Sequence, residues 1–279
     1  MKKSLIKLSM IGFALVGLLI TSCSSDESRE ENLDNPRLKA IQDHAVKLGY
    51  KVEDVELKDF LLPDNTSIER VFLQDDIALS EDEFFALERE GDLEKQYRTF
   101  NLVSGSNTTI DILGYTGNNQ YGLSSKAQTG LRWAVANYNR LSGVSLNFRL
   151  TFGTDTNSAD MVVYDTSFSN SGSGGVAGFP SNGRPYKWCQ IYNLESFSTN
   201  VNEHVICHEM GHSIGFRHSD WFSRQSCNQS GESAGSDGAV HLAGTPTGWD
   251  PTSLMNACFS GSTGGEFNNN DITALQAMY

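Results

Sequence analysis

The stretch His208-Glu209-Met210-Gly211-His212-Ser213-Ile214-Gly215-Phe216-Arg217-His218 carries residues of the types and spacing needed to hold a metal ion and move a proton. On a helix His208 and His212 stand about 40° out of register, so both imidazoles leave one face and can share a cation. Glu209 lies beside them without joining them, which suits a proton carrier. Gly215 stands where a helix can end in a left-handed cap, and the turned chain would bring His218 in from outside the helix. Three imidazoles and one open position describe a catalytic zinc site, with a neighbouring carboxylate as general base. His-Glu-x-x-His alone also occurs on ordinary amphipathic helices, and the added Gly215 and His218 set this stretch apart.

The stretch, followed by Ser219-Asp220, resembles the extended zinc signature of the metzincin metallopeptidases, and Cys207-His208-Glu209-Met210-Gly211-His212 is most similar to the bacterial dual-action HEIGH metallopeptidases, with Met210 in place of the usual isoleucine. Ser253-Leu254-Met255-Asn256 comes 37 residues after His218 (255 − 218), a spacing that suits the methionine turn of that clan. The resemblance spans residues 107–279. It implies one catalytic Zn2+ held by His208, His212 and His218, Glu209 as the catalytic base, Met255 beneath the metal and Asp220 as a group that fixes local geometry. The activity implied is a zinc metalloendopeptidase acting on protein or peptide substrates. Alternatives are a catalytically silent binding module on the same scaffold and a zinc hydrolase of a non-peptide bond.

The fold class expected is α+β: a twisted mixed sheet with a backing helix and an active-site helix, an irregular lower subdomain with a C-terminal helix, and a small acidic α/β domain in front. Thr109 to Tyr115 reads as a first strand. Ala127, Leu131, Ala134, Val135 and Tyr138 recur at helical spacing after a Ser125 to Gln128 capping box. Leu146, Phe148, Leu150 and Phe152 alternate as a half-buried strand, and Met161 to Tyr164 and Trp188 to Asn193 are further strands. Asn200 with Glu203 is expected to cap the metal-bearing helix, whose Ile206, Met210 and Ile214 face the core. Between these strands the glycine-rich passage holds Val176, Ala177, Gly178 and Phe179. In the resembling family this strand forms the cleft edge on which substrate backbone pairs, and glycine permits close approach.

The chain opens with Lys2, Lys3 and Lys7 and an apolar run from Leu5 to Ile20, the pattern of a secretory signal. Ile20-Thr21-Ser22-Cys23 resembles a bacterial lipobox, implying lipid on Cys23, attachment to the membrane, and an outer-membrane, surface-exposed lipoprotein. The expected divisions are a signal at 1–22, a tether at 23–36, an acidic domain at 37–103 and the peptidase domain at 104–279. Residues 24–100 carry 21 acidic and 10 basic side chains (−11), residues 101–279 carry 13 and 8 (−5), and the signal adds +3, giving −13 in all. This balance excludes nucleic acid as a partner class, and a monomer is expected. Beyond Cys23 the cysteines are Cys189, Cys207, Cys227 and Cys258; an even number in an oxidising compartment favours two disulfides, with Cys189–Cys207 and Cys227–Cys258 the preferred pairing of three.

The acidic domain reads either as an accessory domain or as an inhibitory propeptide released near Arg98 to Ser106. Residues 24–103 hold no cysteine. A carboxylate latch, similar to that of fragilysin-like metallopeptidases, has Asp54, Asp59, Asp64, Asp75 and Asp76 as its candidates.

Overall fold

The computed structural model describes residues 35–48, 50–74, 76–86, 97–221, 223–229, 240–246 and 248–279. Cys23 and its signal, and Asp75, lie outside them. Residues 40–279 form one compact unit, and residues 1–39 are grouped separately.

The expected strands meet in one five-stranded sheet of order β6-β5-β7-β9-β8, built from β5 (Thr109–Tyr115), β6 (Asn147–Gly153), β7 (Met161–Asp165), β8 (Gly174–Val176) and β9 (Trp188–Tyr192). The pairs β5–β6, β5–β7 and β7–β9 are parallel, and β8 closes one edge antiparallel to β9. Alternation along the strands serves two layers. Ile110, Ile112, Met161, Val163 and Ile191 face the main core, whereas Leu113, Tyr115, Val162 and Tyr164 pack on the opposite face with Phe60 and Phe72. Burial on both faces explains why β7 reads as a continuous apolar run. In β6 only Phe148 is fully buried, as suits the outermost strand of that end.

Two helices cover the inner face. Helix α3 (Ser125–Asn139) buries Ala127, Leu131, Ala134, Val135 and Tyr138 as expected, but its cap is Ser124, whose hydroxyl accepts from the Ala127 amide. Helix α4 (Thr199–Ser213) carries His208, Glu209 and His212 and starts at Ser198, which accepts from the Val201 amide; Asn200 and Glu203 do not cap it. The serine takes extended backbone two residues before Asn200 and satisfies the first orphan amide, so the helix begins earlier than its asparagine suggests. The helices approach closely at Gly130, where a Cβ would lie 2.9 Å from the Glu203 backbone nitrogen. Helix α5 (Asn269–Met278) ends the chain with a capping box formed by Asn268 and Asp271.

The acidic N-terminal residues make helix α1 (Pro36–Leu48), an antiparallel sheet of β1 (Val55–Leu61), β2 (Ser67–Leu73) and β3 (Ile77–Leu79), and the short helix α2 (Glu81–Phe85). Helix α2 opens with a capping box formed by Ser80 and Glu83. The β1–β2 hairpin packs its Phe60 and Phe72 on the outer face of the large sheet, and the Leu61 carbonyl accepts from the Tyr164 hydroxyl at 2.7 Å. Phe179 is buried in the same cluster as Ile41, Ala45 and Phe84. Thus the acidic segment is docked against the rest of the unit.

Candidate metal centre

Helix α4 aims His208 and His212 from one face, as four-residue spacing requires. Gly215, at φ +111°, turns the chain after the helix, and His218 follows from outside it. A side chain there would be strained, and its Cβ would come within 2.8 Å of Leu102. The imidazole centroids of His208, His212 and His218 lie 4.5, 5.3 and 4.9 Å apart pairwise, and all three residues are buried. Asp76 completes the cluster: its Oδ2 lies 2.7 Å from His218 Nε2, and the candidate ligand atoms of the four residues are within 4.8 Å of one another.

The hydrogen bonds orient this set for a cation. His208 Nδ1 donates to the Leu254 carbonyl at 3.0 Å and His212 Nδ1 donates to the Phe216 carbonyl at 2.9 Å. Each ring proton is committed there, so the Nε2 atoms, 2.9 Å apart, face each other as lone pairs. Two acceptors at that distance need a cation between them, and about 3.3 Å is expected for two nitrogens of one tetrahedral zinc. Buried oxygens Asp76 Oδ1 and Glu209 Oε2 have no hydrogen-bond partner, a second sign that a cation or water belongs at this point. The donor set therefore fits a divalent metal. Burial and the neighbouring imidazoles lower the pKa of His208 well below its ordinary value and that of His212 to about 3, which keeps both neutral as ligands must be. Burial, reinforced by the Asp76 charge, raises Glu209 well above the usual carboxylate range.

A family model for the dual-action HEIGH metallopeptidases matches residues 71–279. The chain belongs to this family. It is therefore a metallopeptidase, and its family implies a metal. Two solved structures are similar in part: one titled "Structure of myroilysin", at 15% identity and TM-score 0.41, covering 65% of this chain and 97% of that one, and one titled "Crystal structure of myroilysin", at 15% identity and TM-score 0.37, covering 63% and 86%. No curated protein matches the chain.

Around its metal cluster this HEIGH metallopeptidase places the remaining predicted residues as follows. Met255 is buried in the turn beneath helix α4, and a Cβ on Gly211 would sit 2.6 Å from its sulfur, so the motif's glycine makes room for the methionine. Asp220, fully buried, accepts from the Ser226 and Ala257 amides, both at 2.9 Å, and so ties the loop after His218 to the segment after Met255. Ser219 reinforces this tie by donating its amide to the Met255 carbonyl at 2.7 Å. Trp221 packs edge-on against Tyr97 at 4.9 Å.

In this chain the glycine-rich edge serves the site in two ways. A Cβ on Gly175 would lie 2.5 Å from Glu209, so the glycine accommodates the carboxylate. A Cβ on Gly178 would come within 2.7 Å of the Ala78 carbonyl, where the acidic segment approaches. Regular strand ends at Val176, and Ala177 bonds to the acidic segment, as described below. Phe179 packs against His212, with ring centroids 5.8 Å apart.

The cysteines require a correction. Cys227 and Cys258 are bonded, but Cys189 and Cys207 are free, buried thiols. Cys189, on β9, meets helix α4 at Ser213, with Sγ 3.2 Å from the serine Oγ, whereas Cys207 faces α3 and is approached by Asn137 Nδ2 at 3.7 Å. Six helical residues separate Ser213 from Cys207, about 9 Å of rise, beyond disulfide reach. Burial pushes the Cys189 thiol up to about 12 and raises Cys207 further.

Three supports of the site escaped the sequence reading. Asp271 accepts from the Leu254 amide at 3.0 Å and the Ser253 hydroxyl at 2.7 Å, so the carboxylate that caps α5 also holds the methionine turn. Its sequence signal is the Asn268-x-x-Asp271 spacing of a capping box. The carbonyls that orient His208 and His212 left no sequence signal. The third support is the segment that opens with the short strand β4 (Tyr97–Arg98): Tyr97, Thr99 and Val103 are buried, the Thr99 amide donates to the Gly215 carbonyl, and the Arg217 amide donates to the Tyr97 carbonyl, so this segment straps the loop that carries His218.

Proposed function

We propose that this metallopeptidase is a zinc-dependent endopeptidase, made with an inhibitory first domain and anchored through a lipidated Cys23 to the bacterial outer membrane, where it acts as a monomer on protein or peptide substrates. The observation that carries the catalytic reading is the pair of imidazoles whose Nδ1 protons are committed to backbone carbonyls, leaving both Nε2 lone pairs facing inward beside His218 and Glu209. His208, His212 and His218 would hold the zinc. When bound, zinc supplies Lewis acidity that brings a bound water's pKa toward 7 and polarises a scissile carbonyl. Glu209 accepts the proton of the attacking water at its carboxylate and returns it to the leaving amine. Its buried setting, with Gly175 leaving room for the carboxylate, favours holding that proton between the two transfers. Residues Tyr97 to Thr99, Asp220 and Asp271 keep the ligand loop and the methionine turn in place. The test is zinc analysis of residues 24–279 together with cleavage-site profiling on a mixed peptide library after the first domain is cut away. One zinc per chain with internal cleavage is expected. Zinc without peptide cleavage would favour a binding module or a non-peptide hydrolase.

A further inference from the structure

The acidic domain supplies the fourth member of the metal cluster, Asp76, beside a cavity of about 550 Å³ that Asp76, His208 and Glu209 help to line. Its β3 approach places Asp76, Ile77 and Ala78 against the open edge beyond β8: the Ala177 amide donates to the Asp76 carbonyl at 2.9 Å, and the Ala78 amide donates to the Ala177 carbonyl at 2.7 Å. The pairing of Ile77 with Ala177 is parallel, so this segment extends the large sheet by main-chain bonds, as a bound peptide would. From this backbone the Asp76 side chain reaches the three imidazoles, 15% exposed, with one oxygen at 2.7 Å from His218 Nε2 and the other without a partner. Of the other described latch candidates, Asp54 lines the cavity of about 550 Å³ beside the site, and neither Asp59 nor Asp64 belongs to the metal cluster. Asp64 is turned onto Thr66 instead.

We propose that Asp76 is the fourth ligand of the metal in the full-length chain, and that Asp76 to Ala78 occupy the edge needed by substrate, so that the chain as it folds is the latent form of the enzyme. The proposal rests on the zinc-peptidase reading above and adds its regulation. A carboxylate oxygen is an ordinary zinc ligand, and one held by a docked domain takes the position that water must occupy. Main-chain pairing at Ala177 adds a second block, because an edge already bonded cannot accept another strand. Gly178, with no Cβ to meet the Ala78 carbonyl, and Phe179, buried in the acidic domain's own core, are the catalytic half's contribution to this docking.

The structure also relocates the activating cut. Residues Tyr97 to Ser104 remain part of the enzyme: Tyr97 and Thr99 bond to the loop between Gly215 and Arg217, the Val103 amide donates to the Tyr279 hydroxyl at 3.2 Å, and the Ser104 amide donates to the Gly183 carbonyl at 3.0 Å. A cut within Arg98 to Ser106 would unstrap the loop of His218, so release requires a cut on the N-terminal side of Tyr97.

The experiment uses residues 24–279 loaded with cobalt(II), in wild type, Asp76→Asn and Asp76→Ala, with acetohydroxamate as the probe of the fourth position. The expected result is a visible spectrum that differs between wild type and the variants, and acetohydroxamate binding at least tenfold tighter in both variants. Identical spectra and equal hydroxamate affinities would overturn Asp76 as a ligand. Should Asp76→Ala fail to fold, Asp76→Asn, which keeps the side-chain shape, decides alone. A further arm cuts the wild-type chain at an engineered protease site between positions 90 and 95. Peptide cleavage should rise at least 100-fold, and an uncut chain as active as the cut one would leave the acidic domain as an accessory element. The two levels separate cleanly: cobalt that does not depend on His218 defeats the metal-site reading itself, whereas cobalt lost in His218→Ala but indifferent to Asp76 defeats only the latch.

Discussion

Replacing Asp220 should weaken both the fold and the metal site, by amounts that follow from its two backbone partners. Its Oδ1 accepts from the Ala257 amide and its Oδ2 from the Ser226 amide, each at 2.9 Å, and the residue has no exposure. A hydrogen bond to a charged group contributes about 1.5–3 kcal/mol, so Asp220→Ala, which strands both amides, should cost about 3–6 kcal/mol. Against a total stability of about 5–15 kcal/mol this is a large loss. Asp220→Asn keeps one acceptor and turns an amide donor toward the other N–H, so about half the loss is expected. Because the same carboxylate ties the loop after His218 to the segment after Met255, metal affinity should fall about 10–100-fold in both variants. Urea unfolding of residues 24–279 and zinc titration against a competing chelator measure the two effects. A loss under about 1 kcal/mol in Asp220→Ala with unchanged zinc affinity would refute the bridging role, since both amides would then have found other partners.

Gly211→Ala should place a methyl group against the Met255 sulfur and reduce stability by about 1–3 kcal/mol, with Met255→Ala in the same chain restoring part of the loss; a neutral Gly211→Ala in thermal unfolding would contradict the packing described. The double variant Cys227→Ser and Cys258→Ser opens a loop of sequence separation 31 and should lose about 3–4 kcal/mol on the chain-entropy account, read from urea midpoints. Thiol titration of the unreduced, unfolded 24–279 chain should find two reactive thiols, Cys189 and Cys207; none would restore the second disulfide. His212, with a folded pKa of about 3 against about 6.5 when unfolded, binds its proton only in the unfolded chain between those values. Burial lowers His208 in the same direction. In the metal-free protein these imidazoles should therefore pull stability down as pH falls from about 7 toward 4, against the opposite pull of Glu209 and Asp271, whose raised carboxyls bind protons in the fold, and a pH slope of the urea midpoint that is unchanged in His212→Gln would contradict a neutral, buried imidazole.

Residues that must sit on one element were legible in the chain, and residues that act across elements mostly were not. His208 and His212 share a helix face by spacing alone, and Gly215 announces the turn that follows, because only glycine tolerates that φ cheaply. The alternation in β5 and β6 and the periodicity of α3 likewise report a local constraint. By contrast, the Cys189–Cys207 pairing looked reasonable because both cysteines belong to neighbouring elements, yet the helix turns Cys207 toward α3 and leaves Ser213 opposite Cys189. The cap at Ser198 prevailed over Asn200 because several good capping residues stood in a row, and only the entry direction of the chain chooses among them. Asp76 was one carboxylate among five in an acidic stretch. What singles it out is the pairing of Asp76 and Ala78 with Ala177, a contact between distant segments that leaves no periodicity in either. The strap from Tyr97 to Val103 resembles a linker in composition for the same reason: its bonds run to the loop near Gly215 and to Tyr279.

The central claim, that this chain cleaves peptides with zinc on three histidines and Glu209 as the proton carrier, meets its most direct test in a matched comparison of wild type and Glu209→Gln. Both are cut N-terminal to Tyr97, shown by elemental analysis to hold equal zinc, and assayed on the same peptide mixture. The account predicts one zinc per chain in each and a cleavage rate at least about 100-fold lower in the variant, the lower end of what general acid–base catalysis contributes. A variant that cleaves within tenfold of wild type at equal zinc content would contradict it.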